Sequence, residues 1–124
     1  MRISFTDREL DVMAVLWDRG SATVAEVRER LPDDLAYTTV LSVLRTLEEK
    51  GHVDHGEEGK AHRYFPLVER RVAGRSALAR LIATVFNGSP ELLLTQLVSD
   101  RDLSDDQIKN LRRLIDARLR GDKR

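Results

Sequence analysis

Cysteine is absent from this chain, and its absence removes disulfides, thiolate metal sites and cysteine nucleophiles together. No apolar run approaches the roughly 18 residues that cross a bilayer. The opening Met1-Arg2-Ile3-Ser4-Phe5-Thr6-Asp7 has no apolar h-region, so no secretory signal is visible. A cytoplasmic protein without membrane insertion is expected, in a reducing compartment. Net charge is missing too, since 21 Lys and Arg balance 21 Asp and Glu. The balance is uneven along the chain: residues 1–67 hold 9 basic and 13 acidic side chains, net −4, and residues 68–124 hold 12 and 8, net +4. An anionic partner of the first half must therefore be met by local clusters of Arg and Lys, because the overall field repels it.

Catalytic patterns are also lacking. Asp33-Asp34, Glu48-Glu49 and Asp105-Asp106 are adjacent pairs at turns and helix ends, where acids serve capping and solubility. No nucleophile-base-orienter set and no glycine-rich phosphate loop can be traced. The chain is not expected to be an enzyme, and no cofactor is expected. Apolar residues, at 41%, suffice for one folded domain or two small ones.

What is present centres on residues 35–51. Val40, Leu44 and Leu47 recur at i, i+4 and i+7, one stripe of an α-helix, and Gly51 follows as its stop. The opposite face holds Thr38, Thr39, Ser42, Arg45 and Thr46. Short hydroxyls are mediocre in helices because they compete for backbone groups, so a run of them on an exposed face suggests a use. Such groups reach phosphates and base edges in a DNA major groove, and a Thr methyl can touch a thymine methyl.

Two helices precede this one. Thr6-Asp7-Arg8-Glu9 is a capping box opening a helix with Leu10, Met13, Ala14, Leu16 and Trp17 inward, stopped by Gly20. Ser21-Ala22 is a short connector with one or two residues of strand. Thr23-Val24-Ala25-Glu26 is a second box, and Val24, Val27 and Leu31 stripe a two-turn helix that Pro32 closes. Together the three form a helix-turn-helix arrangement. After Gly51 the period becomes two: residues 52–55 and 61–65 read as strands around a tip at residues 56–60, and Pro66 ends the second strand. Helix-turn-helix plus hairpin is a winged helix, whose wing carries Lys60 and Arg63 toward a DNA backbone or minor groove. From residue 68 the pattern is helical: one long helix through Val72, Leu78, Leu81, Ile82, Val85 and Phe86, a short one after Ser89-Pro90, and a last one from the capping box Ser104-Asp105-Asp106-Gln107. About 55 residues with such stripes are marginal alone, so a two-fold dimer through Leu78, Leu81, Ile82, Val85, Leu93, Leu97, Ile108, Leu111 and Ile115 is expected. The fold class is therefore mainly α with a small β-hairpin wing: a winged-helix DNA-binding domain over 1–67 and a helical dimerisation domain over 68–124.

The Leu-Ala-Tyr-Thr-Thr-Val helix, the Lys-Gly ending, the Glu-Gly-Lys wing, the Tyr-Phe-Pro-Leu-Val exit and the tail through Leu-Ser-Asp-Asp-Gln-Ile resemble the BlaI/MecI family of penicillinase repressors over nearly the whole chain. The resemblance implies a homodimeric repressor on a dyad-symmetric operator in double-stranded DNA. It places Thr38, Thr39, Leu41 and Ser42 in the major groove and Lys60 and Arg63 on phosphates. In members that control β-lactam resistance, a membrane sensor with a metalloprotease domain triggers cleavage at an Asn-Phe bond. The matching place here is Gln96-Leu97, so that bond is not preserved. A copper-responsive branch carries a cysteine metal site, which a chain without cysteine does not share.

These residues admit two other readings. His52, His55 and His62 invite a metal, but His52 and His55 differ by three and on an ideal strand point to opposite faces. No metal site is expected, and the imidazoles are expected to face solvent or phosphate. A winged helix can also bind a protein instead of DNA, which the acidic first half would suit. Such a module usually exposes an apolar or aromatic patch on the third helix or wing, and here only Leu41 is apolar on that face.

Overall fold

The structure, a computed structural model, describes residues 3–99 and 102–121. Two compact units divide after Leu78.

In the first unit, helix α1 (Asp7–Arg19) opens on the expected capping box: the Glu9 amide donates to Thr6 Oγ1 at 3.2 Å and the Thr6 amide to Glu9 Oε1 at 2.8 Å. It closes on Gly20, whose positive φ of 85° lets its N–H turn back to Leu16 O. Strand β1 (Ala22–Thr23) leads into α2 (Val24–Arg30) through the second box, Thr23 with Glu26. Leu31 is extended ahead of Pro32, which ends the helix. Helix α3 (Tyr37–Glu49) buries Val40, Leu44 and Leu47 completely. At its end the Gly51 amide donates to Glu48 O and the His52 amide to Leu47 O, both at 3.0 Å, with Gly51 at φ 82°. That bond pair is a Schellman stop.

Strands β2 (Val53–Glu58) and β3 (Ala61–Pro66) pair antiparallel, and β1 pairs on the other side of β3, giving the order β1-β3-β2. Glu58 sits opposite Ala61, so the turn is only Gly59-Lys60. Gly59, at φ 61°, takes the first central position, as a tight II′-type hairpin requires. The expected five-residue tip is thus corrected: Gly56 is a strand residue opposite Arg63.

One core joins these pieces: Val12, Met13, Val15, Leu16, Ala22, Val24, Val27, Leu31, Val40, Leu44, Leu47, Val53 and Tyr64. The inward stripe of α1 is displaced from the expected one. Leu10, Ala14 and Trp17 are only half-buried, while Val12 and Val15 are buried. The reason is Glu9, itself buried and paired with Lys50 at 2.8 Å, so the stripe runs 9, 12, 13, 16 and includes a charge that apolar periodicity does not count.

Helix α4 (Arg70–Thr84) explains why the units divide after Leu78 and not after 67. Trp17 Nε1 donates to Val68 O at 2.8 Å, Arg70 lies 5.5 Å over the Trp17 ring and pairs with Asp18, Ser76 donates to Ile3 O, and Ala73 is buried. The second unit holds the rest of α4, α5 (Pro90–Ser99) and α6 (Asp105–Leu119). Val85 and Phe86 lie beyond the end of α4, in the turn where Asn87 and Gly88 take positive φ. Ser89 caps α5 by accepting from the Leu92 amide, and Ser104 with Gln107 forms the third capping box. No described residue of this unit is buried. No helix among the described residues is long and apolar enough to cross a membrane.

Candidate nucleic-acid interface

With one stripe of α3 in the core, the helix turns Thr38, Thr39, Ser42, Arg45 and Thr46 to solvent, and Leu41 is half-buried at the core edge. Thr46 Oγ1 donates to Ser42 O at 3.1 Å, so its proton is used within the helix and its oxygen remains an acceptor. The start of α3 is unusual among the helices here. Its N-cap is Ala36, with no side-chain hydrogen bond, whereas α1, α2 and α6 each carry a full capping box. Its first amides, at the positive end of the helix dipole, have no side-chain acceptor from the cap. Exposed Tyr37 stands at this end, and Arg28 closes the turn by donating to Leu35 O at 2.6 Å.

On the wing, Lys60 occupies the exposed tip. Arg63, expected to reach phosphate, is already engaged. Its Nε and Nη2 grip the two oxygens of Glu58 at 3.0 and 2.9 Å, Nη1 meets Glu26 Oε1 at 3.0 Å and Ser21 Oγ at 3.3 Å, and Nη2 reaches Glu26 Oε2 at 3.3 Å. Four of these contacts are hydrogen bonds and the fifth, Nη1 to Glu26 Oε1, is an ion pair, so most of the donor capacity of the guanidinium is engaged. Backbone and Arg63 donors hold the Glu26 carboxyl below the usual range, Arg63 does the same to Glu58, and both carboxylates push the guanidinium pKa up. Arg19 joins Glu26 at 3.4 Å.

The histidines separate into two environments. His52 precedes β2 and is buried against Phe5, ring centroids 4.8 Å apart, with Nδ1 unpartnered. The expectation of a solvent- or phosphate-facing imidazole fails there, because the Schellman stop carries the residue after Gly51 back over the helix. His55 stacks on His62, centroids 4.3 Å apart, and its Nδ1 meets Glu48 Oε1. Among the described residues, Glu48, Asp54 and His55 are the group whose ligand atoms approach within 4.8 Å of one another. Asp54 accepts from the His55 amide and Glu48 from the imidazole, so the group is held by its own hydrogen bonds.

Burial lowers the pKa of His52, Lys50 lowers it further, and Glu9 opposes them. The folded state therefore binds the His52 proton less well than the unfolded state does. This contribution to stability is present above the unfolded value of about 6.5 and is lost as pH falls from there through the lowered folded value. The urea midpoint should fall between pH 7 and pH 5.5, and His52→Leu should flatten that fall. An equal fall in the variant would assign it to other groups.

Of the residues expected at a dimer interface, Leu78, Leu81, Val85, Leu97 and Ile115 are exposed, and Ile82, Leu93, Ile108 and Leu111 are half-buried. Gln96 and Leu97 lie inside α5, exposed. Sequence patterns had missed Glu26 beyond its capping role. The link between residues 26 and 63 comes from the β1–β3 register, Thr23 opposite Arg63, which rests on a two-residue strand.

Three helices, a hairpin wing and a third helix with one polar face outward define a winged helix-turn-helix protein. The penicillinase repressor family model matches residues 5–117, and the chain belongs to that family, which comprises transcriptional repressors and not enzymes. It is 38% identical over 114 residues to the transcriptional regulator BlaI of Mycobacterium tuberculosis, covering 88% of this chain and 80% of that one. It is 26% identical over 112 residues to the methicillin resistance regulatory protein MecI of Staphylococcus aureus, covering 89% and 91%. The solution structure of the DNA-binding domain of the repressor BlaI superposes with a TM-score of 0.52 at 29% identity, covering 56% of this chain and 88% of that one.

Proposed function

We propose that the protein is a homodimeric repressor that reads a dyad-symmetric operator with α3 and leans its wing on the flanking backbone. The observation that carries this reading is the exposed face of α3, where Thr38, Thr39, Ser42 and Arg45 stand on a helix locked from behind by Val40, Leu44 and Leu47. Rigid support from the core is what base reading needs, since a loose helix loses the geometry of its contacts. The uncapped start of α3 adds backbone donors for a phosphate, and Lys60 adds a cation at the wing tip. Two copies place two reading helices on inverted half-sites about 10 bp apart or a multiple of that. A repressor of this kind would act on chromosomal DNA, in the cytoplasm. A membrane sensor protease that ends repression at Gln96-Leu97 must first unwind α5, which a dimer interface through Leu93 and Leu97 opposes.

Fluorescence anisotropy with the DNA upstream of its own gene, at two salt concentrations and against an unrelated duplex, tests the reading. Tight, salt-sensitive binding to the upstream duplex is expected, with Thr39→Ala losing about 1–3 kcal/mol of discrimination at the base concerned. Weak binding to every duplex by a folded dimer would favour a protein partner on the same face.

A further inference from the structure

We infer that Arg63 is a positioning residue: with Glu58 and Glu26 it clamps the wing to the start of α2 and so fixes where the wing tip meets DNA. The inference rests on the operator-reading proposal for its consequence, but on geometry alone for the clamp. Arg63 is on β3, Glu58 is the last residue of β2 and Glu26 is in the first turn of α2. The guanidinium thus joins three elements, and the Arg63–Glu58 half is a bidentate fork, Nε to Oε1 and Nη2 to Oε2. An isolated surface pair contributes little, but a forked pair inside a network of several charges is the exception to that rule. Glu26 is itself immobilised, since Oε1 accepts the Thr23 amide and meets both Arg19 and Arg63.

The wing needs such a tether. Its two strands and two-residue turn form a hairpin that alone is marginal in water, and β2 is an edge strand of the sheet. Only Val53 and Tyr64 of its twelve strand residues reach the core, both nearer the base than the tip. The charge at the tip also makes sense in this light. Glu57 and Glu58 next to a phosphate backbone are unfavourable, and the clamp offsets one of them within the wing. Because Nε, Nη1 and Nη2 all donate within the clamp, a forked phosphate contact from Arg63 would require the clamp to open.

Two variants of the full chain, Arg63→Met and Glu58→Gln, test the clamp by amide hydrogen exchange and by DNA titration. Residues 56–62 should exchange about tenfold faster in both, with α1 and α3 unchanged, because only the local opening equilibrium of the hairpin shifts. Both variants should bind the upstream duplex about tenfold more weakly. The slope of log affinity against log salt should stay at the wild-type value in Arg63→Met, whereas Lys60→Met should reduce it by about 0.9. The sign of Glu58→Gln is the sharpest readout. Removing an anion from a wing beside phosphates tightens binding if field alone matters, and loosens it if the clamp matters. Unchanged exchange in both variants overturns the inference. A reduced slope in Arg63→Met with tighter binding by Glu58→Gln overturns it in favour of a direct phosphate contact. If the wild-type protein binds no duplex, the operator reading fails while hydrogen exchange still decides the clamp.

Discussion

Ile115→Asp should turn the proposed dimer into a monomer in sedimentation, with the first unit still folded by circular dichroism and thermal melting. The reason is the second unit, none of whose described residues is buried. Ile115 is 46% exposed, beside Leu114 at 59% and one turn before Leu119 at 80%. Burying such a side chain on both copies stabilises an interface by about 1.5–3 kcal/mol each, and an aspartate there removes this and adds two unpaired charges. Two linked reading heads gain about 10²–10⁴ in affinity over one, so binding to a two-half-site duplex should drop by that order while a single half-site is bound as before. A variant that still sediments as a dimer would put the interface on other residues, with the exposed leucines of α5, Leu92, Leu94 and Leu97, as the next to change.

Leu44→Ala should lower the unfolding free energy of the first unit by about 2–5 kcal/mol, a large share of the roughly 5–15 kcal/mol that holds a typical domain together. Leu44 is fully buried at the centre of the α3 stripe, between Val40 and Leu47. The void opens directly behind the proposed reading face, so loss of stability and loss of operator binding should arrive together in one variant. Ser42→Ala, on the outer face, should instead leave the unfolding free energy within about 0.5 kcal/mol of wild type and change only DNA binding. A Leu44→Ala protein as stable as the wild type would mean that α3 is not held from behind.

Much of this architecture could be read from residues in order. The capping boxes at Thr6, Thr23 and Ser104 and the stop at Gly51 all appear where local chemistry puts them, because each depends on residues three or four apart. The face of α3 was legible for the same reason. What escaped was set by contacts between distant residues. Glu9 belongs to the inward stripe of α1 only because Lys50 is there to meet it, forty-one positions on. His52 read as the first residue of a strand, and is instead the return of a helix stop, packed on Phe5. Gly56 and Gly59 are equivalent as turn formers, and strand pairing chooses between them. Arg63 looked like any basic wing residue until the register brought Glu26 beside it. The residues of α4 that complete the first unit, Arg70, Ala73 and Ser76, carry no mark that separates them from the helical stretch that follows.

The position of Glu26 has a consequence for building chimeras. Winged-helix repressors invite the exchange of wings between relatives as if the hairpin were a cassette bounded by its two strands. Here a cassette cut at residues 53 and 66 takes Glu58 and Arg63 along and leaves Glu26 and Ser21 in the recipient. A recipient without an acid at the matching place would receive a wing whose arginine keeps Glu58 and lacks its second carboxylate. The portable piece is discontinuous, pairing the hairpin with residues 21–26, and grafts designed on that boundary would carry their own anchor.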